Sequence, residues 1–207
     1  MMNPKSHKAI FAKSKKAPNP ALTGPGGFTL IELLVALAVA SIMLAVVVTL
    51  FTTLERSYTS QNAAANVQQV ARAGVDFMAQ SIRMAGLDPV QTGDFGITVA
   101  TDTSITFLAD LDLDGSVAGS GETISYFLNG DELQSNLGAV ALVENVNDLS
   151  FNYLAADDSI LAAPVPLADL AAIRTVQISL TVREAAGRGE TVARTYATEV
   201  RCRNLGL

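Results

Sequence analysis

The feature that most constrains this chain is an uninterrupted apolar run near its N-terminus. Residues 33–54 are 22 consecutive positions without a formal charge, dominated by Leu, Val, Ala and Ile. As an α-helix this run would be roughly 33 Å long, which is enough to cross a hydrocarbon core of about 30 Å. In a chain of 207 residues, it predicts a membrane-spanning helix joined to one further domain.

The charges on the two sides of this run differ sharply. All five lysines fall in the first 16 residues, whereas residues 28–207 carry nine arginines and all 20 acidic residues, a net charge of −11. The positive-inside rule keeps the lysine-rich flank in the cytoplasm and places the acidic remainder on the far side, in the periplasm of a bacterium. A chain this acidic argues against nucleic-acid binding, which normally needs a basic face.

Several classes of enzyme lack the residues that they need. His7, in the lysine-rich segment, is the only histidine, and Cys202 is the only cysteine. Zinc sites of the His/Cys type therefore lack ligands, and Ser-His-Asp or Cys-His groups lack a base in the remainder of the chain. We expect no catalytic residues and interpret Cys202 as a strand residue with an unreactive thiol, an intermolecular disulfide being the alternative.

Two ordinary explanations of the apolar run remain open. It could be a secretory signal peptide, with an A-x-A cleavage site at 38–40, or a plain signal anchor. Neither explains Glu32, because a carboxylate inside an apolar helix normally marks a specific partner. Glu32 could instead reach back to the cytoplasmic interface, which its place near the start of the helix permits.

The residues before the run carry a specific pattern. Residues 26–34 read GGFTLIELL, which resembles the type IV prepilin signature. The resemblance implies that prepilin peptidase cuts after Gly27, removes residues 1–27 as a leader, and methylates the new amine of Phe28. Glu32 becomes the fifth mature residue and pairs with the Phe28 amine of a neighbouring subunit, which would offset the cost of burying that charge.

The apolar run is predicted to continue as one helix from residue 28 to 86. Its membrane half is 28–54, and an amphipathic half, 55–88, follows it. Gly86 is the expected C-cap, and Pro89 is the expected stop signal. A coiled coil is the alternative for this half. The predicted buried stripe consists of Val67, Val70, Gly74, Phe77 or Met78, Ser81 or Ile82, and Ala85.

The end of this helix and the C-terminus extend the resemblance. RAG at 72–74, IRMAGLDP at 82–89 and the V-x-x-R-N ending at 200–204 are similar to the PilW-like branch of minor pilins. The J-type minor pseudopilin of type II secretion is a cousin. The resemblance implies a minor pilin in the bacterial inner membrane that joins other pilin subunits through its N-terminal helix and then enters the pilus. A pseudopilin, a signal-anchored periplasmic calcium-binding or adhesive module, and an enzyme that uses only carboxylates are the alternatives.

Residues 89–207 change to a period of two and are predicted to form a β-rich head. The fold class is therefore α+β, one long N-terminal helix packed on an antiparallel β-sheet. Residues 155–172 are predicted to form a long surface loop. The predicted strands are 104–108, 122–128, 149–153, 175–182 and 191–200, with turns at Asn129-Gly130 and at 187–189.

One acidic segment of the head could bind an ion. Asp110, Asp112 and Asp114 alternate before Gly115, as in the first half of a calcium loop. The twelfth position of such a loop is Gly121, so Glu122 comes one residue late. We predict a calcium site with Asp110, Asp112, Asp114 and Glu122 as ligands, the alternative being a solvated acidic turn. No other cofactor is expected.

Overall fold

The computed structural model describes residues 26–119, 121–138 and 141–206. The predicted leader, 1–27, therefore lies almost wholly outside the described residues. The chain divides into two compact units between Val48 and Thr49. This boundary lies within the single α-helix assigned among the described residues, α1, which spans Leu30–Ile82.

In the first unit, α1 presents its apolar side chains to the surroundings. Every residue from 30 to 48 is exposed, although the segment consists mainly of aliphatic residues. Within the described ranges, α1 alone is long and apolar enough to cross a membrane, and none of its most apolar stretch is buried. An apolar surface this continuous is not left in water by a soluble protein, which supports the predicted membrane-spanning helix.

In the second unit, one face of α1 is buried against the head. The buried positions recur at steps of three and four, as an amphipathic helix requires. Phe77 departs from the predicted stripe because it is 46% exposed, and Met78 takes the buried position instead. The buried residues of α1 are Ala63, Val67, Ala71, Gly74, Val75, Met78, Ala79, Ser81 and Ile82.

The helix ends at Ile82, four residues before the predicted C-cap. The backbone then tightens, because Met84 N–H donates to Ser81 O at 2.9 Å and Ala85 N–H donates to the carbonyl of Ile82 at 3.0 Å. Gly86 has the left-handed conformation that glycine commonly adopts after a helix, with φ at 75°. Its N–H donates to Leu108 O, so a partner in the sheet, and not the helix itself, fixes this end.

The head contains two four-stranded antiparallel sheets, where the sequence predicts a single meander. The first sheet has the order β1-β2-β3-β4, and the second has the order β6-β5-β7-β8. A short 3₁₀-helix, Leu170–Ala172, precedes β7. The strands are β1 (Ile97–Ala100), β2 (Ser104–Leu108), β3 (Thr123–Asn129), β4 (Glu132–Ser135), β5 (Val146–Leu154), β6 (Ile160–Leu161), β7 (Thr175–Gly187) and β8 (Glu190–Arg201).

The five predicted strands are confirmed as β2, β3, β5, β7 and β8. The turn predicted at 187–189 is confirmed as a turn of two residues, in which Arg188 has φ 51° and Gly189 has φ 83°, as a type I′ hairpin requires. The prediction of an irregular surface loop at 155–172 is wrong in part. It contains β6 and the 3₁₀-helix, and it buries Val165 and Leu170.

Two tyrosine hydroxyl groups inside the head form hydrogen bonds to residues of other elements. The Tyr126 hydroxyl of β3 donates to Ser81 Oγ of α1 at 2.8 Å. The Tyr153 hydroxyl lies 2.7 Å from Thr101 O and 3.1 Å from Ser104 O, and burial raises the pKa of this phenol. These bonds connect the helix to the first sheet and the first sheet to the second.

Cys202 lies directly after β8 and is buried. Its N–H donates to Arg174 O at 2.9 Å. Burial raises the pKa of the thiol to about 11, against the opposing effect of the Arg174 charge. A thiol that is both covered and protonated is a poor nucleophile, which agrees with the interpretation of Cys202 as unreactive.

Candidate processing site and acidic loop

The predicted cleavage position lies in irregular chain just before α1. Residues 26–29 have no regular secondary structure, and the Phe28 side chain is 83% exposed. A Cβ atom added to Gly26 or Gly27 would meet no other described residue within 4 Å. Packing among the described residues therefore gives no reason for glycine at either position.

Thr29 begins the helix, a role that the sequence analysis did not assign. Its Oγ1 accepts a hydrogen bond from the Glu32 N–H at 3.3 Å, and its carbonyl accepts one from the Leu33 N–H at 3.1 Å. This is the N-cap half of a capping box, the T-x-x-E pattern in which threonine satisfies one of the free N–H groups of the first turn. The pattern is present at 29–32 and could have been recognised from the sequence.

The Glu32 carboxylate lies in the first turn of α1 and is exposed. Its charge is favourable there, because the N-terminus of a helix carries partial positive charge. Among the described residues it forms no ion pair, since the two salt bridges join Arg72 to Asp76 and Arg183 to Asp131.

The structure brings together the four residues predicted to bind calcium. One carboxylate oxygen from each of Asp110, Asp112, Asp114 and Glu122 lies within 4.8 Å of the others. Asp110 and Glu122 are buried, whereas Asp112 and Asp114 are exposed. The one-residue offset of Glu122 from the calcium-loop template thus does not keep it out of the cluster. We call the segment 110–122 the acidic loop.

The first aspartate organises the backbone of the acidic loop. Asp110 Oδ1 accepts the Leu113 N–H at 2.6 Å, and Oδ2 accepts the Gly115 N–H at 3.1 Å. Leu113 and Gly115 both have positive φ, at 67° and 74°, which curls the chain around the carboxylate. Further on, Asp112 accepts from the Asp114 N–H and Asp114 from the Ser116 N–H.

Glu122 closes the acidic loop just before β3. Its Oε2 accepts the Gly119 N–H at 2.9 Å. A Cβ atom on Gly119 would collide with the Glu122 carboxylate, a close approach that no sequence motif indicates. Burial raises the pKa of Glu122, which the negative charges of Asp112 and Asp114 raise further, while the Gly119 N–H opposes the rise.

Comparison with known proteins identifies the N-terminal segment. Residues 25–48 match a family model described as the prokaryotic N-terminal methylation motif. No curated protein matches the chain. The match covers Gly27, Phe28, Glu32 and the part of α1 that belongs to the first unit of the chain. It supports a membrane-anchored type IV pilin or pseudopilin.

Proposed function

We propose that this chain is a minor pilin, a structural subunit that enters or primes a type IV pilus. The observation that carries the proposal is the prepilin-type motif at 25–48 on a helix whose apolar surface is fully exposed over residues 30–48. Such a helix needs either lipid or other helices around it. A β-rich head joined to it is the arrangement that the resemblance implies for a PilW-like minor pilin.

The positive charge that cleavage creates at the new N-terminus explains how the subunit would assemble. Prepilin peptidase cleaves after Gly27 and methylates Phe28, which leaves a positive secondary amine at the start of an apolar helix. Burying that amine among helices is costly unless an opposite charge accompanies it. The exposed Glu32 of a neighbouring subunit supplies that charge and selects one axial register between the two helices.

The charge of the mature chain supports a subunit that is used sparingly. Residues 28–207 carry a side-chain charge of −11, and a head this acidic repels its own copies. It favours a neighbour with cationic or calcium-bridged contacts. That preference suits a subunit present in a few copies among unlike subunits, as opposed to one that builds the whole filament.

A minor pseudopilin of a type II secretion system is the second candidate, because the same motif serves both machines. Deletion of the gene separates them. We expect surface filaments, counted by electron microscopy, to be lost, while secreted enzyme activity is unchanged. Sheared filaments of the complemented strain should contain the protein at a small fraction of the major subunit.

Two other outcomes would contradict the proposal. Loss of secretion with normal filaments would assign the chain to the secretion system. If neither filaments nor secretion changed, the signal-anchored module would be the better description. The matched control is complementation with a chain carrying Glu144→Gln, an exposed change in the head that should restore filaments fully.

A further inference from the structure

The acidic loop holds four carboxylates, and no described residue forms an ion pair with them. Their nearest oxygens lie within 4.8 Å of one another. The ion pairs formed by described residues involve Arg72 and Arg183, and neither pairs with this loop. Like charges at this separation repel, so a cation bound among the four carboxylates would stabilise the loop.

The cost of an uncompensated charge is greatest for buried carboxylates, and Glu122 is one of them. The residue is 1% exposed, and Asp110 is fully buried. Glu122 Oε1 has no hydrogen-bond partner among the described residues, although Oε2 is held by the Gly119 N–H. A buried carboxylate oxygen without a partner is costly and uncommon in native proteins. Because the Glu122 carboxylate is one of the four in the cluster, a cation bound there would supply a partner for this oxygen.

We propose that the acidic loop binds one calcium ion through Asp110, Asp112, Asp114 and Glu122. All four ligands are carboxylates, the hard oxygen donors that calcium prefers, and no histidine or cysteine lies in the segment to favour zinc. The mixture of two buried and two exposed ligands on a turning backbone suits the flexible coordination of calcium better than the strict octahedron of magnesium.

The ion would join three parts of the head. Asp110 N–H donates to Leu87 O, just after α1, and Ala109 N–H donates to Glu122 O at the start of β3. A Cβ atom added at Gly115 would lie 3.2 Å from Val90 Cβ, so the loop runs close to the segment that follows α1. Calcium at this position therefore stabilises the contact between the segment that follows the helix and the first sheet, and this effect is independent of whether the chain enters a pilus.

The test uses the full chain purified in detergent and stripped of divalent ions with a chelator. Calcium is added in a calorimetric titration, and unfolding of the head is followed by circular dichroism on heating. We expect one calcium ion per chain and a rise in melting temperature of about 5–10 °C at saturation. Magnesium at the same concentration should produce a much smaller rise.

Glu122→Gln gives the sharpest readout, because its effect on the melting temperature should be opposite in chelator and in calcium. In chelator, the variant should melt above the wild type, since one repelling charge is gone and the amide can still accept from Gly119 N–H. In calcium, it should melt below the wild type, with an affinity reduced at least about tenfold. Glu144→Gln, which removes one exposed negative charge outside the loop, should leave both melting temperatures and the affinity unchanged.

A second variant keeps every charge. Gly119→Ala places a methyl group against the Glu122 carboxylate and should weaken calcium binding while the net charge stays the same. The proposal is overturned if the wild type neither releases nor absorbs heat nor gains stability in millimolar calcium. It is equally overturned if Glu122→Gln keeps the calcium response, or if magnesium stabilises the chain as much as calcium does.

Discussion

Replacing Glu32 by glutamine is expected to reduce incorporation of the mature chain into filaments by more than about tenfold. Removing one partner of a buried ion pair costs about 3–5 kcal/mol, and each 1.4 kcal/mol is about a tenfold change in an equilibrium. The glutamine amide would leave the Phe28 amine of the neighbouring subunit without its counter-charge. Immunoblots of sheared filaments and of membranes measure the ratio directly.

Glu32→Gln removes the charge of the side chain but keeps the backbone N–H through which this residue takes part in the N-cap. Thr29 Oγ1 accepts from the backbone N–H of residue 32, so glutamine keeps the N-cap and the start of α1. Glu55→Gln is the matched control, because Glu55 is an exposed carboxylate of the same helix just beyond the uncharged run. Equal incorporation of both variants would show that Glu32 reaches the membrane interface instead of a neighbouring amine.

Replacing Gly74 by valine is expected to destabilise the head by about 1–3 kcal/mol, the usual cost of overpacking a core. A Cβ atom at this position would lie 2.6 Å from Val143 Cγ2 and 3.2 Å from Leu180 Cδ2. The helix approaches the sheets so closely here that no side chain fits without movement. The melting temperature of the full chain in detergent should fall by about 5 °C.

Ala73→Val is the control for Gly74. It introduces the same β-branched residue one position earlier, where the side chain is exposed, and so it tests valine in this part of the helix without the clash. We expect its melting temperature to stay within about 2 °C of the wild type. If the two variants melted together, the close approach at Gly74 would not contribute to stability.

The parts of the fold governed by local pattern could be predicted from the sequence. The uncharged run identified the exposed half of α1, and the period of two located β2, β3, β5, β7 and β8. The sequence did not indicate that these strands form two sheets, because strand order depends on contacts between distant segments. It also missed β1 and β6, which have only four and two residues and carry little periodic signal. It indicated β4 only through the turn signal at Asn129-Gly130.

The candidate sites were predictable to different degrees. The alternating aspartates and a nearby Glu122 predicted a cluster that the structure places within 4.8 Å, although template spacing alone would have discarded Glu122. The approach of Gly119 to its carboxylate depends on the path of the loop, which no motif encodes. The helix end was predicted four residues late because Gly86 donates to Leu108 O in the sheet, a partner that helix signals cannot reveal.

The central claim is that this chain is processed as a prepilin, and the intact mass of the protein purified from its own host tests it most directly. We predict a chain that begins at Phe28 and is heavier than residues 28–207 by one CH2 unit, because the methyl group replaces one hydrogen of the amine. The variant Gly27→Leu should keep its leader, while Gly26→Ala, equally free of packing contacts, should be processed. A wild-type chain that keeps its leader, or one cut before Ser41 as a secretory signal peptide would be, would contradict the account.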